Sequence, residues 1–460
     1  MDLRGRHVTI VGLGRTSVSL AKLLIREGAC PFITEIAQEE RQTTLRKELA
    51  ALGIPFECGG HSDAAFEQAD LIVPSPGVSP SIPPIRKAAG VPVLSEMEIA
   101  YRFCNSPILA VTGTNGKTTT TELLAALVHA CGHNVVLAGN NATPFSAAVC
   151  VAPPPDYIVI EVSSYQLELA QTFRPDVGVV LNVTPDHLAR HGTLAEYAGV
   201  KARLFANQTP DDVAVLNADD PLVNNMKVPG GKVHYFSLER PAAPGLWLDG
   251  NVIREGETEV ANVADTRLPG RHNLQNVLAA LCVMRVRGFD WNGVLAGLRA
   301  FEGVEHRIEF VASSEGVDFY NDSKSTNVDS LRVALACFER PVILLAGGRG
   351  KGSDYSCLRE LVQAHVKRLI VFGEDASALE AALGDAVPTE RASDMPDAVE
   401  RAGAQTVGGD VVLLSPACAS FDMFDDFEHR GRVFKECVAS YLGTAGDKGH
   451  ADAPEGVALP

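Results

Sequence analysis

The chain contains 460 residues, of which 46% are hydrophobic and 21% are charged, a composition that suits about three globular domains. Its formal net charge of −17 argues against a nucleic-acid partner, because an acidic surface repels phosphate. No charged-then-apolar leader precedes the first strand pattern, and no apolar run approaches the ~18 residues that cross a bilayer, so we expect a cytoplasmic protein without a membrane partner.

The first segment has the pattern of a nucleotide-binding unit. Val8–Val11 predicts a strand, and the apolar positions between Val18 and Ile25 predict one buried helix face. The loop between them, GLGRTS, resembles a dinucleotide fingerprint, although Ser17 stands at its third glycine position. Glu35 follows the next strand and suits a ribose 2′-hydroxyl, which leaves a nicotinamide-dependent dehydrogenase open. Against the dehydrogenase, Ser75–Ser79 forms a second tight loop after another strand, which suits a nucleotide-linked group bound from two adjacent strand ends.

The second segment carries a phosphate-loop pattern, ILAVTGTNGKTTTTELL, from Ile108 to Leu124. Glycines let backbone N–H groups turn toward an oxyanion, and the following helix N-terminus adds partial positive charge. The pattern predicts that Lys117 contacts the β- and γ-phosphates and that Thr118 offers its hydroxyl to Mg²⁺. The loop does not match the literal Walker pattern G-x-x-x-x-G-K-[ST], because Val111 stands in place of its first glycine.

Two further apolar runs in this segment predict strands that end beside the phosphate loop. The first ends at Glu161, whose carboxylate suits Mg²⁺, and the second is predicted to end at Asp186 and His187. Ligands of parallel sheets bind beyond the carboxyl ends of the strands, so we expect Lys117, Glu161 and His187 at one sheet edge. Lys201 by itself has the pattern of a solvated helix face.

The third segment begins near Val317 and has three polar loops after apolar runs: Asn321–Asn327, Ala346–Tyr355 and Leu413–Phe424. Their lysine, arginine, threonine and serine side chains form a donor set suited to carboxylates or phosphates. Strands alternate with helices throughout the chain, which predicts an α/β fold with mainly parallel sheets.

The predicted organisation is three domains, 1–104, 105–304 and 305–445, followed by a tail at 446–460. The tail lacks apolar periodicity and is predicted to be disordered. Ten cysteines are scattered without metal-ligand spacing, which predicts reduced, buried thiols of a cytosolic protein.

Seven motifs occur in order along almost the whole chain: TGTNGKTT, EVSSYQL, DHLARHG, GRHNLQN, NDSKSTN, GGRGKG and SPACASFDMF. Together they resemble the Mur ligases of peptidoglycan synthesis, and the last loops resemble the branch that adds D-glutamate. The phosphate loop is shared by all Mur ligases and by folylpolyglutamate synthetases, so this motif by itself does not distinguish them. The resemblance implies an N-terminal Rossmann-like domain for a UDP substrate, a central P-loop ATPase-like domain and a C-terminal Rossmann-like domain for the amino acid.

The activity implied by this resemblance is an ATP-dependent ligation of D-glutamate to UDP-N-acetylmuramoyl-L-alanine through an acyl phosphate. It also implies two Mg²⁺ ions, a carbamylated lysine and a cytoplasmic monomer acting on small molecules. Three alternatives stay open: another Mur-type or folylpolyglutamate-type amide ligase, a P-loop switch or transport ATPase without ligase activity, and the dehydrogenase.

The resemblance further implies roles for individual residues. Expected ATP contacts are Gly113, Thr114, Asn115, Gly116, Lys117, Thr118, Thr119, Asn273, Arg307 and Asp322. Expected contacts of the UDP substrate are Arg15, Thr16, Ser75, Gly77, Asn140 and His187. D-glutamate is expected between Thr326, Lys351, Ser415 and Phe424. Expected metal ligands are Thr118, Glu161, His187 and carbamylated Lys201. Expected catalytic residues are Lys117, Glu161, His187, Lys201 and Lys324.

The chain departs from the pattern of similar ligases at two places. Thr34, Glu35 and Ile36 stand where such ligases commonly carry Asp-Thr/Ser-Arg, in a loop expected to contact the uracil or the diphosphate. Asn141 and Ala142 stand where an isoleucine-glycine pair is often found.

Overall fold

The computed structural model describes residues 2–38, 43–140, 143–350 and 352–444. They form two compact units, one of residues up to 266 with 274–301, the other of residues 267–273 with those from 302 onward. Three sheets are present, and antiparallel pairing is confined to three strand pairs among the described residues. This confirms the predicted α/β class with mainly parallel sheets. The predictions for Lys351 and for the tail lie outside the described residues.

The first sheet of the first unit has four parallel strands in the order β3-β2-β1-β4. The strands are β1 (His7–Val11), β2 (Cys30–Glu35), β3 (Phe56–Cys58) and β4 (Leu71–Pro74). The helices are α1 (Arg15–Arg26), α2 (Thr43–Ala51), α3 (Ala64–Glu67), α4 (Pro83–Lys87) and α5 (Glu96–Tyr101). Helix α1 buries Val18, Ala21 and Leu24, but the prediction of a buried Ile25 is wrong, since its side chain is 44% exposed. It lies in the last turn at the margin of the buried stripe.

The second sheet of this unit has nine strands in the order β13-β12-β11-β10-β9-β8-β5-β7-β6. The strands are β5 (Ile108–Thr112), β6 (Val135–Gly139), β7 (Tyr157–Glu161), β8 (Val177–Val180), β9 (Val213–Asn217), β10 (Lys232–Ser237), β11 (Gly245–Asp249), β12 (Val252–Glu255) and β13 (Thr258–Asn262). The helices of the second segment are α6 (Lys117–Ala130), α7 (Phe145–Ala148), α8 (Ser164–Glu168), α9 (Leu188–His191), α10 (Leu194–Ala202), α11 (Pro221–Asn224), α12 (Arg271–Val286) and α13 (Trp291–Ala300). Short 3₁₀ turns occupy Arg203–Phe205 and Val263–Asp265. Strand β5 is wholly buried and lies between β7 and β8, so its C-terminal loop is at the centre of the parallel part of the sheet.

The sheet of the second unit has six strands in the order β14-β15-β19-β16-β17-β18, with only β14 antiparallel to its neighbour in this described sheet. The strands are β14 (Glu309–Ser314), β15 (Val317–Asn321), β16 (Val342–Gly347), β17 (Val366–Phe372), β18 (Thr389–Arg391) and β19 (Val411–Leu414). The helices are α14 (Val328–Leu335), α15 (Arg359–His365), α16 (Ala376–Leu383), α17 (Met395–Gly403) and α18 (Phe427–Thr444), with a 3₁₀ turn at Tyr355–Leu358. The three polar loops singled out in the sequence follow the adjacent strands β15, β19 and β16.

All ten cysteines are free, but the prediction of buried thiols is wrong for most of them. Cys282 and Cys418 are buried, whereas Cys30, Cys150 and Cys357 are exposed. The exposed thiols lie at the first residue of a strand, after a short helix and in a 3₁₀ turn, positions where a small side chain reaches water. Among the described residues, no helix has the length and apolar character needed to cross a membrane.

Glu98 in α5 joins the first sheet's segment to the second sheet's segment. Its carboxylate accepts hydrogen bonds from the backbone N–H groups of Gln171, Thr172 and Phe173 at 2.9, 2.9 and 3.0 Å. The guanidinium of Arg102 donates two more, at 3.0 and 2.8 Å. Burial raises the pKa of Glu98, but hydrogen bonds from Thr172, Gln171 and Arg102 outweigh burial, so the pKa lies below its ordinary 4.5.

We expect Glu98→Gln to lower the free energy of unfolding of the first unit by about 2–3 kcal/mol at pH 7, because an amide cannot accept all these charge-assisted bonds. The ionised carboxylate contributes its stability above pH 4.5 and loses it as the pH falls through the lower folded-state pKa. The difference between wild type and Glu98→Gln should therefore shrink below pH 4.5. Urea unfolding followed by the fluorescence of Trp247 and Trp291 reports on this unit alone. An equal loss in Glu67→Gln, an exposed control, would contradict the assignment.

Candidate functional site

The phosphate loop joins the C-terminal end of β5 to the N-terminus of α6. Gly116 adopts φ +83°, and a Cβ there would lie 2.2 Å from Asn276 Oδ1. A side chain at this position would therefore break the close approach of α12 to the loop. The ammonium of Lys117 donates to the carbonyl oxygens of Gly113 and Thr114 at 3.0 and 2.8 Å. The loop thus places the cation of Lys117 at a helix N-terminus, a combination that suits phosphate.

Glu161 lies at the end of β7, opposite Val111 of β5, and is 1% exposed. One carboxylate oxygen accepts a hydrogen bond from Thr118 Oγ1 at 2.8 Å, and the other accepts from Asn140 Nδ2 at 3.0 Å. The structure therefore brings together two predicted metal ligands and one predicted substrate contact. A hydroxyl and a carboxylate beside a phosphate loop are oxygen donors of the kind that Mg²⁺ prefers, so these residues fit the ion.

His187 is near this edge, but the prediction that a strand ends at Asp186 and His187 is wrong. Strand β8 ends at Val180, and His187 adopts φ +53° before α9. The intervening chain leaves the sheet because Asn182 Oδ1 accepts hydrogen bonds from two backbone N–H groups of the phosphate loop, at 3.1 and 2.8 Å. His187 Nε2 is 3.3 Å from Asp186 Oδ2, and Nδ1 is 3.1 Å from Tyr165 Oη.

Lys201 is buried, which corrects the solvated helix face predicted from its sequence context. It is 1% exposed on α10, and its Nζ donates to the carbonyl oxygen of Gly113 at 2.9 Å. The Nζ also lies 4.3 Å from the ring centroid of Tyr197. Burial, reinforced by the charge of Lys117, holds the pKa of Lys201 well below its usual value of 10.5. The ammonium groups of Lys117 and Lys201 thus share the carbonyl oxygen of Gly113 as an acceptor.

Four of the six predicted UDP-substrate residues follow the adjacent strands β1 and β4: Arg15, Thr16, Ser75 and Gly77. Ser17 connects the loops after these two strands, since its hydroxyl donates to Gly12 O at 2.6 Å and lies 2.9 Å from Ser75 Oγ. Arg15 begins α1 on the first of these loops. Glu35 accepts hydrogen bonds from the backbone N–H groups of Leu13 and Ala37, at 2.6 and 2.8 Å. Its carboxylate thus shapes the first loop, a role that sequence reasoning did not assign.

In the second unit, Asp322 and Ser415 share a hydrogen bond. Ser415 Oγ donates to the carboxylate at 2.8 Å, and the N–H of Ile308 donates at 3.3 Å. Burial raises the pKa of Asp322 to about 7, against the lowering effects of Ser415 and Arg307. Nε of Arg307 is buried without a hydrogen-bond partner in the described part of the chain. A predicted ATP residue and a predicted D-glutamate residue are therefore in direct contact.

The aromatic ring beside Lys324 belongs to Phe427, which the sequence analysis did not assign. The Nζ of Lys324 is 5.6 Å from the Phe427 centroid, whereas Phe424 packs edge-on against His429 at 5.8 Å. Phe427 is the first residue of α18 and follows Phe424 by three positions. This spacing was the signal in the sequence that could have identified Phe427. Thr326 is half-buried in the loop after β15.

Arg430 on α18 is a second residue that the sequence analysis missed, and it ties the three polar loops together. Its guanidinium is fully buried. It donates to Ser323 Oγ at 2.9 Å and Ser323 O at 2.8 Å, to Cys418 O at 3.1 Å and to Gly347 O at 3.5 Å. Burial lowers the pKa of Arg430 to about 10, so it stays charged at neutral pH. Three of these four partner atoms are backbone carbonyl oxygens, which a sequence motif does not reveal.

Replacing Arg430 with methionine should loosen all three loops at once. The variant leaves buried carbonyl and hydroxyl oxygens without donors, at a cost of about 1–3 kcal/mol for each group. We expect faster amide hydrogen exchange in residues 321–327, 346–350 and 413–424. Arg432→Met is the matched control, because Arg432 is exposed and lies two residues further along the same helix. Unchanged exchange in any two of the three loops would contradict this role.

Comparison with known proteins identifies three matching family models, in the same order as the three sheets. They are "Mur ligase MurD-like, N-terminal domain" at residues 6–95, "Mur ligase middle domain" at 111–284 and "Mur ligase, glutamate ligase domain" at 306–418.

Among similar relatives, a protein of Pelotomaculum thermopropionicum is 44% identical over 95% of this chain and 98% of its own. One of Acidobacterium capsulatum is 41% identical over 97% and 98%. Both are named UDP-N-acetylmuramoylalanine–D-glutamate ligase.

Two solved structures from Thermotoga maritima share the fold. The UDP-N-acetylmuramate-alanine ligase MurC is 20% identical, with a TM-score of 0.59 and coverage of 95% of this chain and 99% of its own. The MurF ligase in complex with ADP is 17% identical, with a TM-score of 0.58 and coverage of 97% of both chains. At these identities the likeness concerns the fold.

Proposed function

The chain belongs to the Mur ligase family, and we propose that it joins D-glutamate to UDP-N-acetylmuramoyl-L-alanine, using ATP, in peptidoglycan precursor synthesis. The proposal is carried by the convergence of Lys117, Glu161 and buried Lys201 on one phosphate loop. Relatives at 41–44% identity over nearly the whole chain, which bear the name of this ligase, support the choice of amino acid.

The reaction requires that a carboxylate be activated, because its oxygen is a poor leaving group. In the proposed sequence the L-alanyl carboxylate attacks the γ-phosphate, which releases ADP and forms an acyl phosphate. The neutral amine of D-glutamate then attacks the acyl carbon, and the tetrahedral intermediate expels inorganic phosphate to leave the amide. Lys117 and the loop N–H groups neutralise charge on the phosphoryl oxygens during transfer. Closure that excludes water protects the acyl phosphate from hydrolysis.

Thr118 and Glu161 are proposed to hold one Mg²⁺ ion, and His187 with Lys201 a second. Bound Mg²⁺ would cancel repulsion between the substrate carboxylate and the phosphates. Lys201 as an ammonium would repel a cation. Addition of CO₂ to its neutral amine, with loss of one N–H proton to solvent, gives a carbamate with anionic oxygens. Full burial disfavours the charged amine, and the short contact with Gly113 O directs it at the phosphate loop. We therefore propose that Lys201 acts as its carbamate.

The remaining residue assignments are part of the same proposal. ATP is held by Gly113, Thr114, Asn115, Gly116, Lys117, Thr118, Thr119, Asn273, Arg307 and Asp322. The UDP substrate is held by Arg15, Thr16, Ser75, Gly77, Asn140 and His187. D-glutamate is held by Thr326, Lys351, Ser415 and Phe424, with Lys324 close to the phosphates. The domain limits near residues 104, 304 and 445, the monomeric state and the cytoplasmic location also remain proposals.

The test is phosphate release from Mg²⁺-ATP and UDP-N-acetylmuramoyl-L-alanine with D-glutamate, L-glutamate, D-aspartate, L-lysine or no amino acid. Release that requires both the UDP substrate and D-glutamate, with the product mass of one added glutamate, is the expected result. Release with another amino acid would retain the ligase chemistry and reject D-glutamate. Phosphate release that is the same with every amino acid and with none would favour a P-loop ATPase. In a separate titration with reduced nicotinamide cofactor, a change in its fluorescence on binding would favour the dehydrogenase.

A further inference from the structure

Three aromatic rings stack between the two residues proposed to hold the second metal ion. We call Tyr165, His191 and Tyr197 the ring stack. The imidazole of His191 lies 5.6 Å from the Tyr165 centroid at an interplanar angle of 23°. It lies 5.2 Å from the Tyr197 centroid at 29°. His191 is therefore the middle ring, and it is only 9% exposed.

The outer rings of the stack contact the two proposed metal ligands. On one side, Tyr165 Oη is 3.1 Å from His187 Nδ1, and the two rings are 5.1 Å apart. On the other side, the Nζ of Lys201 lies 4.3 Å from the centroid of Tyr197. His187 also packs edge-on against Tyr197, with the ring centroids 6.3 Å apart at 79°. His187 and Lys201 are thus joined directly through Tyr197 and by a second series of contacts that passes through Tyr165 and His191.

The stack is held from outside by polar contacts. His191 Nε2 is 3.0 Å from Ser164 Oγ, which fixes the rotation of the imidazole in its plane. The guanidinium of Arg190 covers Tyr165 at 5.3 Å and pairs with Glu168 at 2.8 Å. Flat rings at these separations transmit orientation, because a tilt of the middle ring displaces both neighbours in a close-packed interior.

We propose that His191 is a positioning residue that sets the geometry of His187 and Lys201 together through Tyr165 and Tyr197. His191 is not placed among the substrate or metal contacts, and its effect passes through the two tyrosines. The Tyr165 hydroxyl orients the His187 imidazole through Nδ1, while Nε2 faces the carboxylate of Asp186. Tyr197 holds the Lys201 amine against the phosphate loop. This inference rests on the proposed function, since it concerns the same metal site.

The test compares His191→Leu, which removes the middle ring, with His191→Phe, which keeps the ring and loses the contact with Ser164. Two readouts are independent of turnover: the ¹³C NMR signal of the lysine carbamate under ¹³C-bicarbonate, and Mn²⁺ binding followed by electron paramagnetic resonance. We expect His191→Leu to weaken Mn²⁺ binding roughly 10- to 100-fold, the usual effect of losing an orienting partner. The carbamate signal should fall in parallel, and His191→Phe should retain most of both.

The control is His129→Leu, the same substitution at an exposed histidine at the end of α6. Wild-type values of both readouts in His191→Leu would overturn the proposal. Loss in His191→Phe as large as in His191→Leu would also overturn it, because the stacked ring would then not be the cause. A wild-type enzyme without a carbamate signal would overturn it too. Phosphate release by the wild type, measured separately, distinguishes that outcome from failure of the ligase function.

Discussion

Lys201→Arg should lose roughly 10²–10³-fold in the rate of D-glutamate-dependent phosphate release, the range for removing one preorganised charge-stabilising group. The guanidinium keeps a positive charge but cannot add CO₂, so a repelling cation would replace the proposed carbamate at the proposed metal site. Lys201 is 1% exposed and bonded to Gly113 O, so the lost group acts within the phosphate loop itself. The measurement is kcat at saturating ATP, UDP substrate and D-glutamate.

A second variant separates charge from bulk at this position. Lys201→Met removes the amine without adding volume or charge, and it should be as inactive as Lys201→Arg if the carbamate is required. Lys232→Arg is the control, because Lys232 is exposed on β10. Near-normal turnover in Lys201→Arg would reject the carbamate, whereas activity in Lys201→Met alone would assign the defect of the arginine variant to overpacking.

Lys117→Met should reduce phosphate release by a similar factor of roughly 10²–10³, because transfer depends on neutralising the phosphoryl oxygens. Lys117 Nζ is bound to the carbonyl oxygens of Gly113 and Thr114, directly over the loop that is proposed to hold the phosphates. The affinity for the UDP substrate should change little, because that substrate is proposed to bind to other loops. Isothermal titration with that substrate and steady-state kinetics in ATP measure the two effects separately.

Lys22→Met is the matched control for this prediction. Lys22 forms an exposed ion pair with Glu48, and exposed pairs contribute little to stability. Equal losses of ATP turnover and of UDP-substrate binding in Lys117→Met would mean that the substitution disturbs the whole first unit. Turnover close to wild type would show that Lys117 does not contact the transferred phosphate.

Local patterns in the sequence were sufficient for the α/β class and for the position of the phosphate loop. The strand before the loop, the glycines within it and the helix after it are neighbours in the chain, so their pattern specifies the turn directly. The buried positions Leu123, Leu124, Leu127 and Val128 follow from the helical period for the same reason. Two predictions made by extending a local pattern failed. Ile25 lies at the margin of the buried stripe of α1, and strand β8 ends at Val180, before Asn182 accepts hydrogen bonds from the phosphate loop.

The sequence by itself therefore determined the strand-loop-helix units, the phosphate loop and, through resemblance, the expected ligands. Only the tertiary structure decided which distant side chains meet there. Lys201 reaches Gly113 across 88 positions, and Arg430 reaches Ser323 across 107. The ring stack likewise joins residues of three short helices. Such contacts depend on how elements pack against each other, and packing depends on the whole core rather than on the periodicity of any one segment.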